Sequence, residues 1–161
     1  MATCGTPWLS ASSVVFNPAL DECFTARRDH GAFLNGTPIH AGARTSVAGS
    51  RFLGNKQVFE NWSSVQVETF SSIAYRVALV AAARYDAMIS LTAKRDWDLA
   101  AADVILAEAG GRMVGADSSP LTYNGAAAVQ GATVAAGAGL IGPLLAELAA
   151  KNLLKPAADS P

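Results

Sequence analysis

The sequence predicts an α/β protein in which helices and sheets stack as layers, and three observations lead to this fold class. Residues 11 to 42 carry short apolar runs separated by turn residues, which is typical of antiparallel β structure. From residue 50 onward, short strand-like runs alternate with helical patterns. With 161 residues, of which 51% are hydrophobic, the chain is long enough to bury one substantial core.

Charge and hydropathy narrow the classes of function. A net charge of −1 argues against a nucleic-acid-binding protein, because such proteins usually carry a basic face. The apolar run from Val77 to Ala83 is far too short to cross a bilayer, so no membrane partner is expected. The first residues lack a basic segment followed by a long apolar run, and we therefore expect no secretory signal and a cytoplasmic location.

The two cysteines, Cys4 and Cys23, do not have the spacing of metal ligands. Two free thiols, as in most cytosolic proteins, and a single disulfide are both compatible with the sequence.

The β-rich segment is predicted to form hairpins. Asn17-Pro18 marks the first turn, and Asn35-Gly36 is the commonest signal for a two-residue hairpin loop. The strands predicted around these turns are Val14 to Phe16, Glu22 to Ala26, Gly31 to Leu34, and Thr37 to Ile39.

The alternating part of the chain is predicted to add five strands and four helices. The strands are expected at residues 51 to 54, 65 to 70, 86 to 91, 112 to 114 and 133 to 136. A short helix is predicted at residues 57 to 65, and Ser71 or Ser72 is suited to cap the next one. The residues expected to be buried on that second helix are Ile73, Val77, Val80 and Ala81. A third helix is predicted from Trp97 to the double glycine at 110 and 111, and a fourth from Leu140 to Leu154.

Asp98 is the candidate functional residue of the third helix. A carboxylate in the first helical turn is favoured by the helix dipole and the free N–H groups, so Asp98 or Asp96 can be a simple cap. Alternatively, Asp98 binds a metal near the end of the strand at residues 86 to 91, where ligands collect in open α/β sheets. Oxygen ligands without paired histidines or cysteines suit Mg²⁺.

Several segments together resemble the inositol monophosphatase superfamily, and the similarity covers nearly the whole chain. The strongest is Trp97-Asp98 with Ala100-Ala101 and the run from Glu108 to Gly111, which looks like that family's second signature. Supporting similarities are the hairpin from Gly31 to Ile39, the stretch from Asn17 to Glu22, the stretch from Ser71 to Arg76, the run from Arg84 to Asp86, and Tyr123-Asn124.

The resemblance implies a Mg²⁺-dependent phosphomonoesterase built of stacked α and β layers, in which Asp98 is a catalytic and metal-binding residue. The family's first signature, Asp-Pro-x-Asp-Gly-Thr, is absent, and residues 1 to 16 contain no acid. The chain therefore resembles the C-terminal half of that sugar-phosphatase fold, without the N-terminal metal-binding half. On this interpretation, residues 1–45 are a β-hairpin remnant of the N-terminal sheet, residues 46–155 form the C-terminal α/β domain, and residues 156–161 are a polar tail.

The resemblance also points to a substrate class, a small phosphorylated molecule. Inositol-specific members carry a glutamate seven residues before the motif aspartate, and here that position is Leu91. The segment from Thr92 to Asp96 is similar to bacterial 3′(2′),5′-bisphosphate nucleotidases instead. Lys94 or Arg95 is then expected to meet a second phosphate of a nucleotide bisphosphate, unless these cations are only solvated. The side chains expected to line the substrate pocket with Lys94 are Ser71, Ser72 and Tyr75.

Four alternatives remain at the level of sequence. The chain is half of a nucleotidase-like phosphatase with little activity by itself, an inositol-1-phosphate phosphatase, a non-catalytic remnant or interaction module, or an α/β ligand-binding domain in which Asp98 is only a cap. Strands between residues 14 and 39 are expected to expose an edge and apolar faces. We therefore expect a homo-oligomer or pairing with a polypeptide that carries the missing half.

Overall fold

Two sheets and three helices alternate in four layers in the computed structural model, which describes residues 12–154. The order of layers is a four-stranded sheet, a pair of helices, a five-stranded sheet and a final helix. This arrangement confirms the layered α/β class predicted from sequence. Cys4 and the tail at 156–161 lie outside the described residues, and Cys23 forms no disulfide within them.

The first sheet is an antiparallel meander of neighbouring strands. Its strands, in spatial order, are β1 (Ser12–Asn17), β2 (Glu22–Arg27), β3 (Ala32–Leu34) and β4 (Thr37–Ile39). Asn35 and Gly36 join β3 to β4 with φ angles of 49° and 79°. Two successive positive φ values define the type I′ turn that matches strand twist, so the predicted hairpin is confirmed.

The second sheet is mixed and a short ribbon lies beside it. Its strands are β5 (Arg51–Leu53), β6 (Gln66–Glu68), β7 (Ala87–Ser90), β9 (Gly111–Gly115) and β11 (Thr133–Gly137), and the ribbon pairs β8 (Lys94–Arg95) with β10 (Val129–Gln130). The spatial order is β6-β5-β7-β11-β9. Strands β5, β6 and β7 are parallel, whereas β11 is antiparallel to both of its neighbours.

Three helices cover the sheets: α1 (Ile73–Ala81), α2 (Asp96–Glu108) and α3 (Ala138–Ala150). Helices α1 and α2 pack between the two sheets, while α3 packs on the outer face of the second sheet. The Ser72 hydroxyl accepts a hydrogen bond from Tyr75 N at 3.3 Å, which confirms the predicted cap of α1. Within residues 12–154, none of the helices is long and apolar enough to cross a membrane.

Two sequence predictions about elements need correction, and one element was not predicted. Residues 57 to 65 form consecutive turns and not a helix, because their bonds span three residues, as from Phe59 N to Lys56 O at 3.1 Å and from Trp62 N to Phe59 O at 3.0 Å. Helix α3 begins at Ala138 and ends at Ala150, four residues earlier than expected, where the following turn reaches a positive φ. The β8–β10 ribbon was missed because strands of two residues leave no periodic pattern.

A buried carboxylate ties the first sheet to α1. Glu22 on β2 is 8% exposed and accepts hydrogen bonds from the Tyr75 hydroxyl, at 2.7 Å, and from the Arg84 guanidinium. Burial alone would raise the pKa of Glu22, but the hydrogen bonds and the charge of Arg84 lower it overall. The ionised form is therefore the one that stabilises the packing of sheet against helix.

The end of α2 is joined to the same sheet by a second carboxylate. Glu108 accepts backbone hydrogen bonds from Asp29 N at 3.0 Å and Gly31 N at 2.9 Å, within the turn between β2 and β3. Although burial opposes it, these N–H groups lower the pKa of Glu108. Helix α2 ends at Glu108, and Gly110 follows with a φ of 83°, which suits glycine just after a helix C-terminus.

We predict that Glu22→Gln lowers the free energy of unfolding by roughly 1–3 kcal/mol, because a buried charge-assisted bond is lost. The pKa of Glu22 is lower in the folded state than in the unfolded chain. The contribution of Glu22 to folding stability is therefore fully present above its pKa in the unfolded chain, and it disappears as the pH falls through its pKa in the folded protein. Urea denaturation across the acid range should show a shallower loss of stability in the variant. Glu147→Gln, on the exposed face of α3, is the matched control; equal acid profiles for wild type and Glu22→Gln would contradict the assignment.

Candidate functional site

The candidate site lies where three parallel strands end. Because β5, β6 and β7 run in the same direction, their carboxyl ends meet at one edge of the second sheet, the place where open α/β sheets bind ligands. A cavity of about 680 Å³ opens there. The residues that follow the three strands line it: residues 55 to 59 after β5, Thr69 and Ser71 after β6, and Leu91 and Thr92 after β7.

Two of the residues predicted to bind substrate, Ser71 and Lys94, line this cavity. Lys94 comes from β8 and is only partly exposed. Its ammonium group donates to Thr92 Oγ1 at 2.5 Å and to the backbone oxygens of Thr92 and Ala93 at 3.2 and 3.3 Å. A protonated amine and a serine hydroxyl thus face the same space, which is suited to a phosphate group.

Ser72 and Tyr75, also predicted to bind substrate, do not line the cavity. The hydroxyl of Ser72 caps α1, and that of Tyr75 donates to Glu22 on the first sheet. Burial and the neighbouring carboxylate raise the pKa of Tyr75, so the phenol remains a neutral donor. Both side chains have structural partners, and their roles in substrate binding stay predictions.

Asp98 lies in the first turn of α2, half-buried, and its carboxylate accepts a long hydrogen bond of 3.4 Å from Arg95 N. Its neighbour Trp97 is 70% exposed and stacks against the Arg95 guanidinium, 5.6 Å from the ring centre. Asp98 therefore belongs to a capping box at the start of α2 and does not line the strand-end cavity, and its metal-binding role stays a prediction.

The described residues do not by themselves fit a magnesium site. Among residues 12–154, no group of three or more histidine, cysteine, aspartate or glutamate side chains is placed to hold a metal ion. Asp98 alone supplies one carboxylate, and Mg²⁺ bound by one carboxylate keeps most of its coordination with water.

Asp96, which the sequence suggested only as a possible cap, supports the site without lining its cavity. It is 6% exposed, and its carboxylate accepts from Asn124 N at 2.6 Å and from Gln130 Nε2 at 2.7 Å. Its own N–H donates to Ala128 O at 3.1 Å. Asp96 thereby holds the 121–130 loop, and with it the β8–β10 ribbon that carries Lys94. Its partners lie 28 and 34 residues away, so no local pattern identified them.

A second carboxylate of α2 holds the same loop. The Tyr123 hydroxyl donates to Asp103 Oδ2 at 2.8 Å. Burial raises the pKa of Asp103 and, together with the charge of Asp103, raises that of Tyr123. The loop is therefore anchored at two points along α2, one of them beside the candidate site.

A larger cavity of about 820 Å³ lies on the other side of Leu91, against α3. Its lining includes one charged side chain, Asp117. Hydrogen bonds from Ser119 lower the pKa of Asp117, so this cavity presents an anion. It is less suited to a phosphorylated ligand than the cavity at the strand ends.

The comparisons with known proteins agree with the fold. The model of the inositol monophosphatase family matches residues 10–153. An inositol-1-monophosphatase of Rhizobium meliloti (strain 1021) is 35% identical over 116 residues, which cover 62% of this chain and 42% of that protein. An inositol monophosphatase of Mesembryanthemum crystallinum is 31% identical over 113 residues, covering 61% and 42%.

Solved structures give the same result. The structure of inositol monophosphatase from Anabaena superposes with a TM-score of 0.72 at 25% identity, covering 89% of this chain and 59% of that one. Compared with the two curated relatives named above, the chain spans about two fifths of their length, 42% of each.

We predict that Asp96→Asn lowers the free energy of unfolding by roughly 1–3 kcal/mol, because a buried carboxylate that accepts two hydrogen bonds loses its charge and one acceptor position. Amide hydrogen exchange within the 121–130 loop should accelerate. Asp98→Asn is the matched control, since it makes the same change two residues later in the same helical turn but removes only one long hydrogen bond. Equal effects of the two substitutions on stability and exchange would contradict the role given to Asp96.

Proposed function

Because the chain belongs to the inositol monophosphatase family, we propose that it forms the substrate-orienting part of a Mg²⁺-dependent phosphomonoesterase of the nucleotidase-like branch. The observation that carries the proposal is the cavity at the ends of β5, β6 and β7. Its lining combines cations and hydroxyls with apolar residues and includes no carboxylate. Such a surface favours a phosphate ester over a cation or a neutral sugar.

Asp98 is proposed as one of the carboxylates that bind Mg²⁺. In two-metal phosphatases the ions activate water and stabilise the leaving oxygen, but such a site needs several converging carboxylates. The others must come from outside residues 12–154, either from another segment or from another polypeptide. The part proposed for the described residues is to bind and orient the phosphorylated substrate and to present Asp98 from a clamped helix.

Leu91 supports a substrate with a second phosphate over inositol phosphate. It lines the strand-end cavity and offers no acceptor for a sugar hydroxyl. Lys94 faces the same space and supplies a positive charge. The competing candidate, an inositol-1-phosphate phosphatase, is favoured by the names of the similar proteins from Rhizobium meliloti and Mesembryanthemum crystallinum. Rates with adenosine 3′,5′-bisphosphate and with inositol 1-phosphate separate the two candidates.

A second polypeptide is proposed to cover β1. Within the described residues, β1 is an edge strand of the first sheet, and Val14, Phe16 and Leu20 are 60%, 54% and 63% exposed. Val14 and Phe16 lie on the same face because side chains alternate along a strand. An exposed apolar edge favours pairing with another chain, either a second copy or a polypeptide that carries the first half of the family fold.

The 161-residue chain is expected to hydrolyse phosphate esters at background rate with Mg²⁺, because it supplies one metal-binding carboxylate. A fusion that places the first half of the Rhizobium meliloti relative before this chain should gain turnover, and Asp98→Asn in the fusion should abolish it. Phosphate release is the measurement, with the intact relative as positive control. Robust, Asp98-dependent turnover by the chain alone would contradict the need for other carboxylates. An inactive fusion beside an active relative would favour the non-catalytic remnant.

Self-association through β1 is expected in solution. Size-exclusion chromatography with light scattering should show species larger than a monomer, and the double substitution Val14→Thr with Phe16→Ser should shift them towards the monomer. Val129→Ser, at an exposed apolar residue on β10, is the control. A stable, compact monomer of the wild-type chain would count against the proposed covering of this edge.

A further inference from the structure

Three cations from separate segments converge on the strand-end cavity. Lys56 follows β5, Arg76 lies in the first part of α1, and Lys94 is on β8. Sequence analysis singled out only Lys94. Because the three residues are separated by 20 and 18 positions, only the fold reveals that they share one cavity.

None of these cations forms an ion pair within residues 12–154. The ion pairs of that part of the chain join Arg44 to Asp86, Arg51 to Glu68, and Arg84 to Glu22. Lys94 donates only to uncharged oxygens, and Arg76 Nε donates to the carbonyl of Phe70.

An acid close enough to feel the charge of Lys56 already has other partners. The charge of Lys56 contributes to the lowered pKa of Glu68, but that carboxylate accepts the Tyr85 hydroxyl at 2.7 Å and lies 3.5 Å from Arg51. Glu68 does not line the cavity. The residues that line the cavity therefore include three cations and no acidic side chain.

A cavity lined by three cations and no acidic side chain has a positive potential, which attracts an anion. Burial lowers the pKa of Arg76 somewhat, yet a guanidinium remains charged at neutral pH. The side chain is thus partly desolvated while it keeps its charge. Ammonium and guanidinium groups are the usual partners of phosphate oxygens in proteins.

The other residues of the cavity indicate the chemical class of ligand that bears the anionic group. Val58, Phe59, Ile89 and Leu91 form an apolar wall, and the volume of about 680 Å³ exceeds the needs of an inorganic anion. An amphipathic phosphate ester, with a ring system against the wall and its charge towards the cations, fits this division. Pockets of this kind combine apolar surface with a few polar groups that fix orientation.

We propose that Lys56, Arg76 and Lys94 form a subsite for a second phosphate group of a bisphosphorylated substrate such as a nucleoside bisphosphate. The inference rests on the proposed function for its substrate class, while the subsite itself needs neither Mg²⁺ nor turnover. It gives Lys56 and Arg76 specificity-determining roles and makes Lys94 one member of a group of three.

The test is binding by the full 161-residue chain in the presence of EDTA, measured by isothermal titration calorimetry at fixed ionic strength. The probes are adenosine, adenosine 5′-monophosphate and adenosine 3′,5′-bisphosphate. We expect affinity to rise in that order and to fall as salt is added. Lys56→Gln, Arg76→Gln and Lys94→Gln should each weaken binding of the bisphosphate by about five- to tenfold, as expected for loss of a charge-assisted contact.

Arg28→Gln, in the exposed turn after β2 and far along the chain from the cavity lining, controls for loss of one positive charge. If thermal unfolding shows that Arg76→Gln is not folded, Arg76→Lys replaces it and should retain most of the affinity. Equal loss with Arg28→Gln, equal binding of adenosine and the bisphosphate, or unchanged affinity in the Lys56 and Lys94 variants would each overturn the subsite. Lack of turnover in the fusion enzyme would leave this result unaffected, so the two proposals fail separately.

Discussion

The buried carboxylate of Asp96 is the interaction on which the candidate site depends. It begins α2, and at the same time it holds Asn124 and Gln130 of a loop that lies far along the chain. The β8–β10 ribbon is fixed by this contact, and Lys94 is thereby directed to the strand-end cavity. Two residues later the same helical turn presents Asp98. One desolvated acid thus supports the positions of two residues proposed for the chemistry, Lys94 and Asp98.

Acidic side chains at the first sheet and cationic side chains at the second sheet have different roles. Glu22 and Glu108 are satisfied by donors from other layers, and they join the first sheet to α1 and α2. The cations at the ends of β5, β6 and β7 have no such acidic partners within residues 12–154. Buried charges are usually paired when their role is structural. The paired acids therefore have structural roles, whereas the cations, which are exposed or half-buried, remain available to a ligand.

Local chemistry made much of the fold predictable from sequence. Asn35-Gly36 specifies its own turn type, and the Ser72 hydroxyl caps α1 by accepting a hydrogen bond from the backbone three residues later. The apolar residues of α1 that were expected to be buried are buried: Ile73, Val77, Val80 and Ala81. Features that depend on distant partners were not predictable. The buried bonds of Asp96 and the convergence of Lys56 and Arg76 on Lys94 arise from tertiary packing, and a single sequence holds no periodic trace of them.

The central claim is that the ends of the parallel strands bind a phosphorylated ligand. Its most direct test is an NMR titration of the ¹⁵N-labelled chain with adenosine 3′,5′-bisphosphate in the absence of metal. We expect saturable shift changes confined to the residues that line the strand-end cavity, namely 55–59, Thr69, Ser71, Arg76, 89–92 and Lys94. Shift changes centred on residues 115–121, which line the larger cavity, or no saturable change at all, would contradict the account.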